Sequence, residues 1–159
     1  MKAWIFLLCC AFAADASAFQ SIYIVRHAEK VDNSKDPQLS EKGQKRALDL
    51  ASHLRDAAVL AIFVTEYQRT QKTAAPLAGL LKVQTTIIGA AELAKLVALL
   101  QADTGNGAAL VVGHSNTVPA LVKALGANIQ WEIADDEYDR LVIVTPIKSS
   151  APVVNILRY

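Results

Sequence analysis

Cysteine is almost missing from this chain. Of 159 residues only Cys9 and Cys10 are thiols, and both fall in a segment unlike the rest. Lys2 is followed by an apolar stretch over residues 3–14 and by the small residues Ala16, Ser17 and Ala18. That order of a positive start, a short apolar run and a small-residue site is the pattern of a secretory signal peptide, here expected over residues 1–18 with cleavage before Phe19. A buried amino-terminal helix is the competing interpretation, and Asp15 with its small neighbours is out of place in one. Cleavage would remove both thiols. Residues 19–159 would then form no disulfide, and they would offer neither a cysteine nucleophile nor a thiolate metal site. A thiol-free domain also suits an oxidising compartment.

Other absences narrow the function further. The apolar run over residues 3–14 is too short to span a bilayer, so no membrane anchor is expected after cleavage. Sixteen basic and fifteen acidic residues give a net charge of +1, which leaves no global field to attract nucleic acid or a membrane surface. Anion binding must therefore come from a local cluster. There is no glycine-rich phosphate loop and no Gly-x-Gly-x-x-Gly turn, so neither a nucleoside triphosphate nor a dinucleotide is indicated. The Gly-x-Ser-x-Gly elbow of serine hydrolases is also missing. No internal repeat, low-complexity tract or linker divides the chain. With 53% apolar and 19% charged residues, it reads as one compact domain over residues 19–159.

What is present alternates. Residues 22–25 are β-branched and aromatic and predict a short buried strand. The polar residues 31–38 predict a loop, and Ser40 is placed to cap a helix over 41–56 with Ala47, Leu50, Ala51 and Leu54 on one face. Residues 59–64 predict a second strand. The helix that follows starts between residues 65 and 74 and runs to about Leu81, with Pro76 expected in its early part. Residues 83–88 predict a third strand and 91–102 a helix. A turn at 105–107 leads to a fourth strand over 108–112, apolar throughout as a central parallel strand should be. Residues 118–125 predict a short helix with Gly126 behind it, and 128–139 an irregular acidic connection. Strands over 141–145 and 153–157 close the chain as an antiparallel pair. The fold class is thus α/β, a three-layer α/β/α arrangement around a mainly parallel sheet.

Three of the expected strands end in reactive or cationic residues. The first gives Arg26 and His27, the second leads to Arg69, and the fourth gives His114 with Ser115 and Asn116. Parallel strands place these ends on one edge of the sheet, where ligands of open α/β sheets bind. Two arginines and two histidines in one crevice suit a compact oxyanion: the guanidinium fork matches phosphate, and an imidazole adds a donor or a nucleophile.

At this point the sequence resembles a known family. Arg26-His27-Ala28, Leu39-Ser40 with Gly43 and Ala47, Arg69-Thr70 with Thr73-Ala74, and Gly113-His114-Ser115 are similar in order and spacing to the motifs of the histidine phosphatase superfamily, also called phosphoglycerate mutase-like. The chain looks like one of its small exported bacterial members, so the periplasm or the medium is the expected location. The resemblance implies a phosphomonoester hydrolase. His27 would form a phosphohistidine, and Arg26, Arg69 and His114 would bind the phosphoryl group. No cofactor or metal is implied. The partner would be a small phosphorylated substrate, such as a sugar phosphate or an envelope phosphate ester. The family's general acid falls by chain order on Glu92, with Glu29 and Glu66 as rivals; the run Asp135-Asp136-Glu137 is expected to be a solvated loop able to close over the pocket. Two departures stand out: Ala28 where glycine is commoner, and Thr65-Glu66-Tyr67 where Ser-x-Leu often precedes the arginine. The alternatives are a non-catalytic phosphate-binding module of the same fold and a metallohydrolase using His27, His114 and Glu29. Two arginines beside a dication disfavour the last.

Overall fold

The computed structural model describes residues 19–102 and 106–159. The expected leader and Gly105 of the expected turn lie outside those residues. The elements are β1 (Ser21–Arg26), α1 (Glu41–Leu54), β2 (Val59–Val64), α2 (Gln68–Leu81), β3 (Thr85–Ile87), α3 (Leu93–Ala102), β4 (Ala108–Gly113), α4 (Thr117–Ala124), β5 (Arg140–Ile147) and β6 (Ser150–Arg158). They build one sheet in the order β3-β2-β4-β1-β5-β6. Its first four members are parallel, and β5 and β6 run antiparallel to their neighbours.

The two-residue pleat sorts the core into two layers. Ile22, Ile24, Ala109, Val111, Val142 and Val144 face Leu100 of α3 and Val118, Leu121 and Val122 of α4. Val25, Ile62, Val64, Leu110, Val112 and Leu141 face Leu50, Ala51 and Leu54 of α1 and Ala74 and Leu77 of α2. Every residue of β4 is buried because helices cover both its faces and strands both its edges. Each aliphatic side chain removed from water this way contributes about 1.5–3 kcal/mol before entropy is counted.

Local chemistry fixes the helices that frame the sheet ends. Ser40 Oγ accepts the Gly43 N–H at 3.1 Å and starts α1, while the Ser40 N–H donates to the Glu29 carbonyl at 2.9 Å. Gly43 lies so close to that backbone that an added Cβ would stand 2.1 Å from the Glu29 carbonyl oxygen. Helix α2 has no side-chain cap from its own N-cap residue Tyr67; Asp36, on the loop between β1 and α1, accepts the Gln68 N–H at 2.9 Å instead. Pro76 falls in the middle of α2 and not in its early part. It therefore withholds the amide that Lys72 would otherwise receive, and the burial of Ala74 and Leu77 carries the helix past that lost bond.

Several expected boundaries shift; α1 ends at Leu54 instead of residue 56, β4 ends one residue later, and α4 moves by one residue. The third strand shrinks to Thr85–Ile87, because the Val83 N–H turns back to the Ala78 carbonyl to close α2. Helix α3 starts at Leu93, since Glu92 belongs to a turn in which its N–H donates to the Gly89 carbonyl. The closing hairpin is longer than expected. Pro146 sits at the register shift between Thr145 and Ile147, and Pro152 lies on edge strand β6, two places a sheet tolerates proline.

Candidate active site

Register explains why residues 87 positions apart in sequence meet. Arg26 pairs with Gly113 across the parallel β1–β4 ladder, so His27 and His114 leave adjacent strands side by side, and the His27 N–H donates to the Gly113 carbonyl at 2.9 Å. Their rings lie 5.4 Å apart between centroids, edge to face. Strand β2 borders β4 on its other side and delivers Thr65, then Arg69 on the first turn of α2. Arg26, His27, Arg69 and His114 all line one cleft of about 560 Å³ beyond these strand ends. The structure thus brings together the four residues that the strand ends suggested.

His27 is 4% exposed. Its Nδ1 lies 2.8 Å from the Ala28 carbonyl oxygen, a contact that requires Nδ1 to carry the proton and leaves Nε2 with a free lone pair. Burial lowers its pKa to about 3; the Ala28 bond opposes that shift, and the charges of His114, Arg26 and Arg69 add to it. The Ala28 N–H donates to Thr73 Oγ1 at 2.9 Å, and Thr73 in turn donates to the Arg69 carbonyl at 2.7 Å. Thr73 therefore ties the turn after His27 to the first turn of α2. Ala28, at 0% exposure, fits that turn without glycine.

His114 is held by a chain of hydroxyls. Its Nε2 stands 3.0 Å from Thr65 Oγ1, which stands 3.0 Å from Thr70 Oγ1, and the Thr70 hydroxyl donates to the Tyr67 carbonyl at 2.8 Å. Proton bookkeeping along that chain makes Nε2–H the donor to Thr65 and leaves Nδ1 as acceptor. Arg69 Nη2 approaches Nδ1 at 3.4 Å. Burial, followed by the Arg69 charge, lowers the His114 pKa to about 4. Thr65 and Thr70 thus have a defined task, and Thr65-Glu66-Tyr67 serves where the family's commoner triplet would stand.

The two arginines are mounted differently. Arg26 is 6% exposed. Its Nη1 donates to the carbonyls of Ala134, Asp135 and Glu137 at 2.8, 3.1 and 3.0 Å, and its guanidinium lies 4.2 Å from the centre of the Tyr138 ring. Its Nε is buried without a hydrogen-bond partner among the described residues. The acidic connection is therefore an arch pinned over the cleft, not a free solvated loop. Arg140 and Arg158 brace it by binding the Glu137 carboxylate at 2.6 and 2.9 Å. Arg69 lies on the Tyr67 ring at 4.3 Å, and the Tyr67 ring meets His114 edge-on at 5.4 Å.

The carboxylates separate. Glu92 does not join the cluster: its carboxylate accepts the Gly89 N–H at 2.8 Å and pairs with Lys95 at 3.1 Å, and both hold its pKa below the usual range. Glu66 accepts the Ala90 N–H at 2.8 Å. Glu29 is turned away, with its carboxylate bonded to Arg46 Nε at 2.8 Å, to Arg46 Nη2 at 2.8 Å and to Lys42 at 3.2 Å. It is thus a brace between the end of β1 and α1, and no ligand set of His27, His114 and Glu29 is assembled. Among the described residues Asp135 is the acid that lines the cleft. Sequence reasoning passed over Tyr138 and Arg46. Arg46 did leave a signal, a charge beside the apolar stripe of α1; Tyr138 left none.

Comparison with known proteins supports the fold. The family model described as histidine phosphatase superfamily (branch 1) matches residues 22–94. That span includes Arg26, His27 and Arg69 and stops short of His114. The chain is similar to a structure named mycobacterial hydrolase 1, with a TM-score of 0.70 at 16% identity, covering 88% of this chain and 98% of that one. It is similar to the protein histidine phosphatase SixA complexed with tungstate, with a TM-score of 0.69 at 20% identity over 87% and 96% of the two chains. The mycobacterial glucosyl-3-phosphoglycerate phosphatase Rv2419c gives a TM-score of 0.66 at 15% identity over 88% and 98%. At such identities the likeness carries the fold and not the substrate. A search of curated protein sequences finds no match.

Proposed function

Starting from a chain that belongs to the histidine phosphatase superfamily, we propose that it is a metal-independent phosphomonoester hydrolase acting through a phosphohistidine on His27. The observation that carries this is the His27 ring itself, neutral, tethered through Nδ1 to Ala28 and set among Arg26, Arg69 and His114. The Nε2 lone pair attacks phosphorus in line as the bond to the leaving oxygen breaks. Water then attacks the phosphoryl group, the P–N bond breaks, and phosphate and free His27 result. Splitting one displacement in two lowers each barrier. Arg26 and Arg69 oppose the charge spread over the phosphoryl oxygens, the main catalytic work in phosphoryl transfer.

We assign the proton for the leaving oxygen to Asp135 in place of Glu92, because Asp135 lines the cleft while Glu92 is held by Gly89 and Lys95. Export belongs to the same proposal: cleavage before Phe19 would release the domain to the periplasm or the medium, and amino-terminal sequencing of the secreted protein tests it. The activity is tested with phenyl phosphate in the presence of a chelator. Turnover by the wild type and its loss in His27→Ala are expected. Binding of phosphate without turnover would instead make the protein a non-catalytic module, and loss of turnover on chelation would refute the metal-free mechanism. With an alkyl phosphate, whose leaving oxygen needs a proton more, Asp135→Asn should slow kcat by about 100-fold and Glu92→Gln should leave it nearly unchanged. The reverse result would return the role to Glu92.

A further inference from the structure

The cleft is larger than a phosphoryl group needs, and its outer part has a chemistry of its own. Its volume of about 560 Å³ falls in the range of sites that enclose whole small molecules. Beyond the arginine and histidine cluster it is lined by Lys30, Ser34, Lys35 and Pro37. Across the whole chain acids and bases nearly cancel. Along the cleft they do not: among the described residues that line it, Arg26, Lys30, Lys35 and Arg69 stand against one acid, Asp135, with Asp36 outside the lining at 3.9 Å from Arg69 Nη1.

Neither lysine forms an ion pair within 4 Å among the described residues, although the Lys30 charge reaches the Asp32 carboxylate. The Lys30 ammonium is held out on the loop by a neutral partner, Asn33 Oδ1, at 2.7 Å. Lys35 forms no ion pair and no side-chain hydrogen bond among the described residues. The neighbouring acids have partners of their own: Asp32 accepts the Ser34 N–H, Asp36 accepts the Gln68 N–H and lies 3.9 Å from Arg69 Nη1, and Glu29 binds Arg46 and Lys42. The loop that carries both lysines is fixed at several points. Lys30 and Leu39 form a β-bridge, the Val31 N–H donates to the Gln38 carbonyl at 3.0 Å, and Pro37 is buried. Asp36 fastens the loop to α2, and the Lys35 carbonyl accepts Arg69 Nη1 at 3.4 Å. These ties hold two lysines that form no ion pair among the described residues beside the phosphoryl cluster.

Resting on the phosphatase reading of His27, we propose that Lys30 and Lys35 form a second anion subsite, so that the substrate is a small phosphomonoester whose leaving group carries a further negative charge. A carboxylate or a second phosphate supplies that charge equally well. A neutral leaving group would leave both ammoniums unpaired.

The test compares 3-carboxyphenyl phosphate with 3-carbamoylphenyl phosphate, two esters of the same shape that differ in one charge. Two partly exposed ion pairs should favour the carboxylate by about tenfold in kcat/KM at low salt. The ratio should fall toward one in Lys30→Ala/Lys35→Ala and in about 0.5 M salt, where screening is short-ranged. Equal kcat/KM for the two esters, or a preference that survives the double substitution, overturns the subsite. Dissociation constants of both esters, measured by titration calorimetry on the His27→Asn variant, separate the two readings. If the wild type turns over neither ester but the carboxylate still binds about tenfold more tightly, the catalytic reading fails and the subsite stands. If it turns over both esters alike and they bind alike, the subsite fails and the catalytic reading stands.

Discussion

Acidification should unfold this protein through its two cleft histidines well before its carboxylates take part. In an unfolded chain histidine titrates at about 6.5. In the folded protein burial holds His27 at about 3 and His114 at about 4. Between those limits the unfolded state binds two protons that the native state refuses. A folded pKa depressed below the unfolded one means that stability is full above about pH 6.5 and is lost as pH falls toward the folded values. The linkage slope is about 1.4 kcal/mol per pH unit for each histidine, or about 3 kcal/mol per unit for the pair, and by pH 5 the loss is about 4 kcal/mol. Exposures of 4% and 8% leave little solvent to soften it. Domains of this kind have about 5–15 kcal/mol to lose, so the effect is large. Urea unfolding at pH 5, 6, 7 and 8 reads it directly. Each of His27→Asn and His114→Gln should remove about half of the slope between pH 6 and 5. A wild-type stability that is flat from pH 8 to 5, or a slope that neither variant reduces, would refute the linkage. The carboxylates enter lower down: Glu29, braced by Arg46, and Glu137, held at about 2 by Arg140 and Arg158, lose their stabilisation only as pH falls through the ordinary carboxylate range.

Two glycines should respond to alanine with opposite signs. Gly43→Ala drives a methyl group into the Glu29 backbone, which cannot move without shifting the turn after His27; a loss of about 3 kcal/mol in urea unfolding is expected. Gly79→Ala, inside α2 with no atom within 4 Å of the new methyl, should gain about 0.5–1 kcal/mol, and equal effects at the two sites would show that the close approach at Gly43 is not what matters. Glu29→Gln weakens the charged bonds to Arg46 and Lys42 and should cost about 2 kcal/mol of stability. Because Glu29 faces away from the cleft, kcat on phenyl phosphate should stay within about twofold, and a 100-fold fall would restore a catalytic part to it.

Much of this was open to inspection in the sequence, for identifiable reasons. Strands β1, β2 and β4 are continuous apolar runs that only a doubly covered parallel sheet explains. Once they are parallel, their carboxyl ends must share an edge, so Arg26, His27 and His114 could be gathered without any tertiary information. The buried stripe of α1 was equally plain, at 3.6-residue spacing. Local pattern could not supply contacts made by backbone atoms across the fold. The carbonyls of Ala134, Asp135 and Glu137 meet Arg26 from more than 100 residues away, and a carbonyl has no residue type to mark it. The same holds for Gly43: its sequence position suggested a mild helix penalty, whereas its role is steric, a place where the Glu29 backbone comes too close for any side chain. Glu92 was chosen by order along the chain, and order says nothing about which way a side chain turns.

The two arginines then divide the work of binding a phosphoryl group, on the mechanism proposed above. Arg26 is fixed. Three carbonyls hold one end of its fork, Tyr138 covers its face, and no rearrangement is needed when charge develops, which is the condition under which an electrostatic donor is most effective. The carbonyls are dipoles and not charges, so the guanidinium keeps its full positive charge for the substrate. Arg69 is adjustable. Its bonds to His114 Nδ1 and to the Lys35 carbonyl are both 3.4 Å long, at the weak end of hydrogen bonding. A phosphoryl oxygen, as an ionised acceptor, would compete successfully for the same donors. Its capture of Arg69 would also free His114 Nδ1 to take a proton and become a donor itself. One rigid clamp sets where phosphorus lies relative to His27, and one yielding clamp closes on it. That order follows from a buried arginine pinned by an arch and a half-buried arginine resting on a tyrosine.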